Sequence, residues 1–120
     1  MKKFLKSANH AFDGLKYMFL TQRNFKIQIF IALIALVMAV FLKIEKTEWA
    51  ILALSITVVW SFEIINTSIE FLCDFVNPEF NSTIKAIKDL SAGAVLLVST
   101  GALLAGLVIF LPKIFFVFKY

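Results

Sequence analysis

Three long apolar runs divide the chain: Ile27 to Leu42, Trp49 to Phe62 and Leu90 to Pro112, none of them carrying a charge. A helix needs about 20 mostly apolar residues to cross the hydrocarbon core of a bilayer. The third run is long enough by itself. The first is short, but Lys26 and Lys43 stand at its ends, where their stems can lie along the hydrocarbon while the ammonium groups reach water. The second spans only if its helix continues to about Phe75, and the polar residues there predict that it does. At about 100° per residue, Glu63, Asn66, Glu70 and Asp74 fall near 0°, 300°, 340° and 20° around the axis. They make one narrow polar stripe on an otherwise apolar rod. The expected spanning helices therefore cover about residues 26–44, 48–75 and 84–118.

The first 20 or so residues follow another pattern. Phe4, Leu5, Ala8, Ala11, Phe12, Leu15, Met18 and Phe19 share one side, while Lys2, Lys6, Asn9, Asp13, Lys16 and Tyr17 lie opposite. This predicts an amphipathic helix lying at the membrane surface, its lysines near anionic headgroups. The segment Thr21 to Lys26 is polar and basic and joins it to the first span. Trp49 suits the interface where the second span begins. Asn77-Pro78 ends that helix, because proline disfavours the helical region at the residue before it. Asn81-Ser82-Thr83 supplies an N-cap for the third. The third span is rich in small residues (Ser91, Gly93, Ala94, Ser99, Gly101, Ala102, Ala105 and Gly106), which permit close helix approach in lipid. The expected architecture is a single all-α membrane domain over residues 1–120, a surface helix plus three transmembrane helices.

Composition agrees with that pattern and adds an orientation. Of 120 residues, 61% are hydrophobic, and the formal net charge is +4. The N-terminal flank carries Lys2, Lys3, Lys6, Lys16, Arg23 and Lys26 against Asp13 alone, which favours a cytoplasmic N-terminus. Three crossings then place the C-terminus outside and put the acidic end of the second span on the cytoplasmic side. No apolar stretch of leader-peptide type precedes the surface helix. Cys73 is the single cysteine, so an intramolecular disulfide is excluded, and His10 has no partner within the sequence pattern.

A charge at bilayer depth costs about 2.5–3.5 kcal/mol on insertion scales, so an intramembrane acid points to function. Carboxylates and phosphate oxygens are the hard ligands that Mg²⁺ selects. A lysine, here Lys88, can neutralise phosphate charge. A sheltered carboxylate can take a proton from a hydroxyl. Phosphoryl transfer asks for positioning and charge neutralisation more than covalent participation. There is no Walker-type glycine loop and no protein-kinase motif set, so nucleotide would have to bind by another architecture.

Two segments carry a resemblance. Glu63-Ile64-Ile65-Asn66-Thr67-Ser68-Ile69-Glu70-Phe71-Leu72-Cys73-Asp74 follows E-x-x-N-x-x-I-E-x-x-x-D, and Lys88-Asp89-Leu90-Ser91-Ala92-Gly93-Ala94-Val95-Leu96 follows K-D-x-x-x-x-A-V-L. In this order and separation they resemble the integral-membrane diacylglycerol kinase family of bacteria, which includes undecaprenol kinases. The resemblance implies an ATP- and Mg²⁺-dependent lipid kinase of the cytoplasmic (inner) membrane, assembled as a homotrimer with active sites between subunits. It implies that Glu63 is the catalytic base and that Asn66 orients the reacting groups. Glu70 would ligate the metal, Lys88 would contact ATP phosphate, and Asp89 and Asp74 would serve nucleotide binding. The acceptor would be diacylglycerol or undecaprenol. One departure stands out: a second metal-ligating glutamate of the family falls at Gln22, whose amide oxygen can coordinate Mg²⁺ but carries no charge. Two rival readings of the acids, an acid-lined ion-conducting oligomer and a noncatalytic packing protein, use Lys88 and Glu63 differently and separate on whether Glu63→Gln removes phosphate transfer.

Overall fold

The computed structural model describes residues 1–119, and among them all regular structure is helical. The helices are α1 (Lys2–Thr21), α2 (Arg23–Phe41), α3 (Lys46–Val76) and α4 (Ser82–Phe118). The last three are each long and apolar enough to cross a membrane. At about 1.5 Å per residue α3 is about 46 Å long and α4 about 55 Å. Both outreach a hydrocarbon core of about 30 Å, so their ends stand in the headgroup region or beyond it.

The boundaries have local causes. A single extended residue, Gln22 (φ −96°, ψ 111°), separates α1 from α2. The first span therefore begins at Arg23, three residues earlier than polarity suggested, because arginine and asparagine sit comfortably in a first helical turn. It also ends earlier, at Phe41, in a Schellman turn. The Ile44 N–H reaches the Ala39 carbonyl and the Lys43 N–H reaches that of Val40, both at 3.2 Å. Lys43 takes the left-handed conformation (φ 50°), and Ile44 folds back into the same apolar cluster as Ala39.

Helix α3 starts from a capping box in which Glu45 is the N-cap and Glu48 Oε2 accepts from the Glu45 N–H at 2.7 Å. The E-x-x-E spacing carries that signal in the sequence, and it starts the helix ahead of Thr47 and Trp49. The other end stops at Asn77-Pro78, where Asn77 Oδ1 accepts from the Glu79 N–H at 3.0 Å. Asn81 caps α4 as expected, accepting from Thr83 N and Ile84 N. Pro112 lies inside α4 without ending it. The hydroxyls of Thr57, Ser61, Ser68 and Thr100 bond back to their own helix, as Ser61 does to the Thr57 carbonyl at 2.8 Å, so these four add no unpaired polarity in lipid.

Helices α3 and α4 form a long antiparallel pair closed at both ends by ion pairs. Glu48 meets Lys113 at 3.0 Å, and Asp74 meets Lys88 at 2.8 Å. Helix α2 lies against the pair, its Ala39 fully buried beside Leu52 of α3 and Ile109 and Phe110 of α4. Trp49 packs against this cluster. Phe25 and Trp60 meet edge to face, and Tyr17 of α1 touches Phe71 of α3 in the same way. Tyr17, read from the pattern as polar-side, is thus the residue that ties the surface helix to α3.

The glycines of α4 do not bring helices together within this chain. A Cβ added at Gly93, Gly101 or Gly106 would meet no neighbouring atom within 4 Å. Ser99, Ala102 and Gly106 instead line one side of an apolar groove of about 490 Å³ between α2, α3 and α4.

Candidate active site

The polar stripe of α3 grades from buried to exposed. Glu63 is 6% exposed, Asn66 8% and Thr67 4%, Glu70 is half-buried, and Asp74 is exposed. From Glu63 to Asp74 the rise is about 16 Å. One helix thereby carries carboxylates from the interior of the bundle to the edge of the membrane.

Glu63 is held from the neighbouring span. Gln28 Nε2 of α2 donates to Glu63 Oε2 at 2.9 Å, and among the described residues no lysine or arginine pairs with this carboxylate. One turn on, Asn66 Nδ2 donates to Glu70 Oε1 at 3.2 Å. That bond aims the amide nitrogen at Glu70 and leaves Asn66 Oδ1 buried without a partner. Gln28 Oε1 is likewise buried and unpartnered. A buried acceptor left unpaired costs about 1–3 kcal/mol, and two such oxygens flank the same pair of carboxylates.

Gln28 was missed by reading the sequence, which treated Ile27 to Leu42 as uniformly apolar. Its signal was nevertheless there: it is the one amide in that run. Gln22, by contrast, bonds its neighbour Thr21 (Nε2 to Oγ1, 3.2 Å) and, among the described residues, makes no hydrogen bond to the stripe.

The exposed end is a second cluster. Asp74, Asn77, Asn81, Ile84, Lys85, Lys88 and Asp89 line a cavity of about 380 Å³ under the α3–α4 turn. Lys88 and Asp89 adjoin in sequence but pair apart. Lys88 reaches Asp74, while Asp89 pairs with Lys85 one turn back along α4. Lys85 is thus part of this cluster. Exposed ion pairs of this kind contribute about 0–1 kcal/mol, so an incoming anion can take either lysine from its acid at little cost.

A divalent metal fits the Asn66–Glu70 pair in part. Among the described residues no group of three or more histidine, cysteine or acidic side chains stands ready to cage an ion. Mg²⁺ seldom needs such a cage: it keeps several waters and takes one or two carboxylates together with substrate phosphates. The Glu70 carboxylate and the unpartnered Asn66 oxygen are oxygen donors of that kind.

The chain is similar to known proteins along most of its length. Residues 9–110 match the model of the prokaryotic diacylglycerol kinases. The chain is 34% identical to an undecaprenol kinase from Bacillus subtilis (strain 168), over 95% of this chain and 93% of that protein. It is 36% identical to a diacylglycerol kinase from Synechocystis, over 92% of this chain and 63% of the longer relative. A diacylglycerol kinase from Escherichia coli (strain K12) is more distant, at 26% over 79% of this chain.

Proposed function

The chain belongs to the prokaryotic diacylglycerol kinase family and is a lipid kinase, and from that premise we propose that it moves the γ-phosphate of ATP, with Mg²⁺, to the primary hydroxyl of a membrane lipid alcohol. The observation that carries the reading is Glu63: a carboxylate 6% exposed, inside a spanning helix, held by an amide and not by a cation. A structural acid at that depth would be expected to have a cationic partner. One that must accept a proton is better left with a neutral one.

In this mechanism the lipid alcohol enters from the bilayer with its hydroxyl at Glu63, and ATP comes from the water side. Glu63 takes the hydroxyl proton as the oxygen forms its bond to the γ-phosphorus. The bond from that phosphorus to the β,γ-bridging oxygen breaks, and ADP carries the electron pair away. Lys88 binds phosphate oxygens once it leaves Asp74, and Asp74 and Asp89 line the nucleotide end. Asn66 keeps Glu70 in place, and Glu70 with the Asn66 oxygen would hold Mg²⁺, which when bound offsets phosphate charge. Gln22 belongs to this shell only as a weak ligand from the α1–α2 break.

The acids then face the cytoplasm of a bacterial inner membrane, with the N-terminus inside and the C-terminus outside. The subunits form a homotrimer with sites between neighbours, which gives the open groove and the small residues of α4 a packing partner. The test is transfer of labelled γ-phosphate in mixed micelles, with diacylglycerol and undecaprenol offered separately. Label in one lipid identifies the acceptor. No label in either, from folded protein at high Mg²⁺, overturns the proposal.

A further inference from the structure

Position 28 is a costly place for an amide. It lies in the span α2, in a run where every other side chain from Ile27 to Leu42 is apolar, and its oxygen is buried without a partner. Among the described residues the one hydrogen bond of its side chain is the 2.9 Å contact from Nε2 to Glu63 Oε2, which links residues 35 apart in sequence on two different helices. A carboxylate only accepts, so the amide must present its N–H to this oxygen. Glu63 has three side-chain torsions, and among the described residues no second hydrogen bond or ion pair to a side chain fixes them.

We propose that Gln28 is a positioning residue for phosphoryl transfer, acting through Glu63; the inference rests on the kinase reading with Glu63 as base. The Gln28 N–H occupies Oε2 and sets the carboxylate plane. Oε1 is then the oxygen left to accept the lipid proton: the lipid O–H bond breaks, an Oε1–H bond forms, and the oxygen's electron pair goes to phosphorus. A neutral donor suits the task. A lysine at position 28 would hold the carboxylate as a salt bridge and oppose its protonation, whereas an aliphatic residue would leave it free to rotate out of line. Misplacement of a reacting group by about 1 Å can cost about 100-fold in rate.

The test is a kinetic cycle on the full chain in mixed micelles, with ATP, Mg²⁺ and the lipid alcohol that the wild type phosphorylates. Gln28→Met keeps length and adds apolar character, so the span should insert normally. Its kcat is expected to fall about 10- to 100-fold, with KM for ATP within about twofold of wild type. In Glu63→Asp the shorter carboxylate has already lost the Gln28 bond, and adding Gln28→Met should cost less than about twofold more. Gln28→His, which returns an N–H donor, should recover part of the loss. Wild-type kcat in Gln28→Met, or the same fold-loss in both backgrounds, overturns the proposal, the second because it marks a purely structural role. If Gln28→Met does not fold, Gln28→Asn, one methylene too short for the bond, carries the same comparison. A wild type inert toward every lipid alcohol would instead fail the kinase reading itself.

Discussion

Glu63 and Lys88 differ in exposure in a way that suits the roles proposed for them. The carboxylate is screened from water and held by one neutral donor, whereas the ammonium is a third exposed and rests on an acid that is more exposed still. Because that rest contact is weak, the proposed phosphate binding at Lys88 would keep most of its energy. A hydrogen bond to a charged group is worth about 1.5–3 kcal/mol, so Lys88→Met should raise KM for ATP by about 10- to 100-fold while the protein stays folded. ATP titration in the transfer assay checks this, and an unchanged KM would remove Lys88 from the phosphate site. Gln22→Glu should lower the Mg²⁺ concentration for half-maximal activity by restoring a negative charge. An unchanged requirement would take residue 22 out of the metal's shell, in line with its present bond to Thr21. The acids were legible in the sequence because charge inside an apolar run is conspicuous. Gln28 was not, because an uncharged amide barely alters the hydropathy of a 16-residue stretch, and only the folded pairing of α2 with α3 gives it a role.

The helices themselves follow from run lengths and stop signals, and the three spans appear where the apolar runs predict them. Their ends were less legible, since they depend on turn geometry. Polarity placed the first boundary at Lys26 and the chain places it at Gln22, because one extended residue is enough to turn from a surface helix into a span. The α2–α3 turn shows why a pattern of apolar residues cannot fix such ends. Lys43 adopts a left-handed conformation usually given to glycine, and the turn is held by two backbone bonds and by the burial of Ile44 against Ala39. A β-branched residue there should be strained. Lys43→Val is expected to destabilise the protein by about 1–2 kcal/mol with kcat unchanged, and Lys43→Gly to be neutral or slightly stabilising. Denaturant titration in micelles reads both. Equal stability of the valine variant would show that the turn relaxes at no cost.

At the scale of the molecule, a single chain is a thin layer of helices, 59 × 43 × 22 Å, with few side chains buried on all sides. The pairing of α3 with α4 along their full length was not legible, because Ile, Leu, Val and Phe faces look alike whichever helix they meet. It rests in part on ion pairs between residues distant in sequence. The groove of about 490 Å³ and the open glycine positions of α4 leave room for other copies. If the active sites form between subunits, mixing Glu63→Gln protomers with Lys88→Met protomers should, at ATP concentrations too low to saturate Lys88→Met, give more transfer than the two variants assayed apart; no gain in a proven mixed oligomer would place each site within one chain. The central claim is that Glu63, and not the fold around it, performs the proton step. The most direct measurement is γ-phosphate transfer to the accepted lipid by wild type and Glu63→Gln, with oligomer size and helicity recorded on the same samples. Transfer is expected to fall by at least about 100-fold in a variant that remains folded and assembled. Near-normal transfer in that variant would contradict the claim.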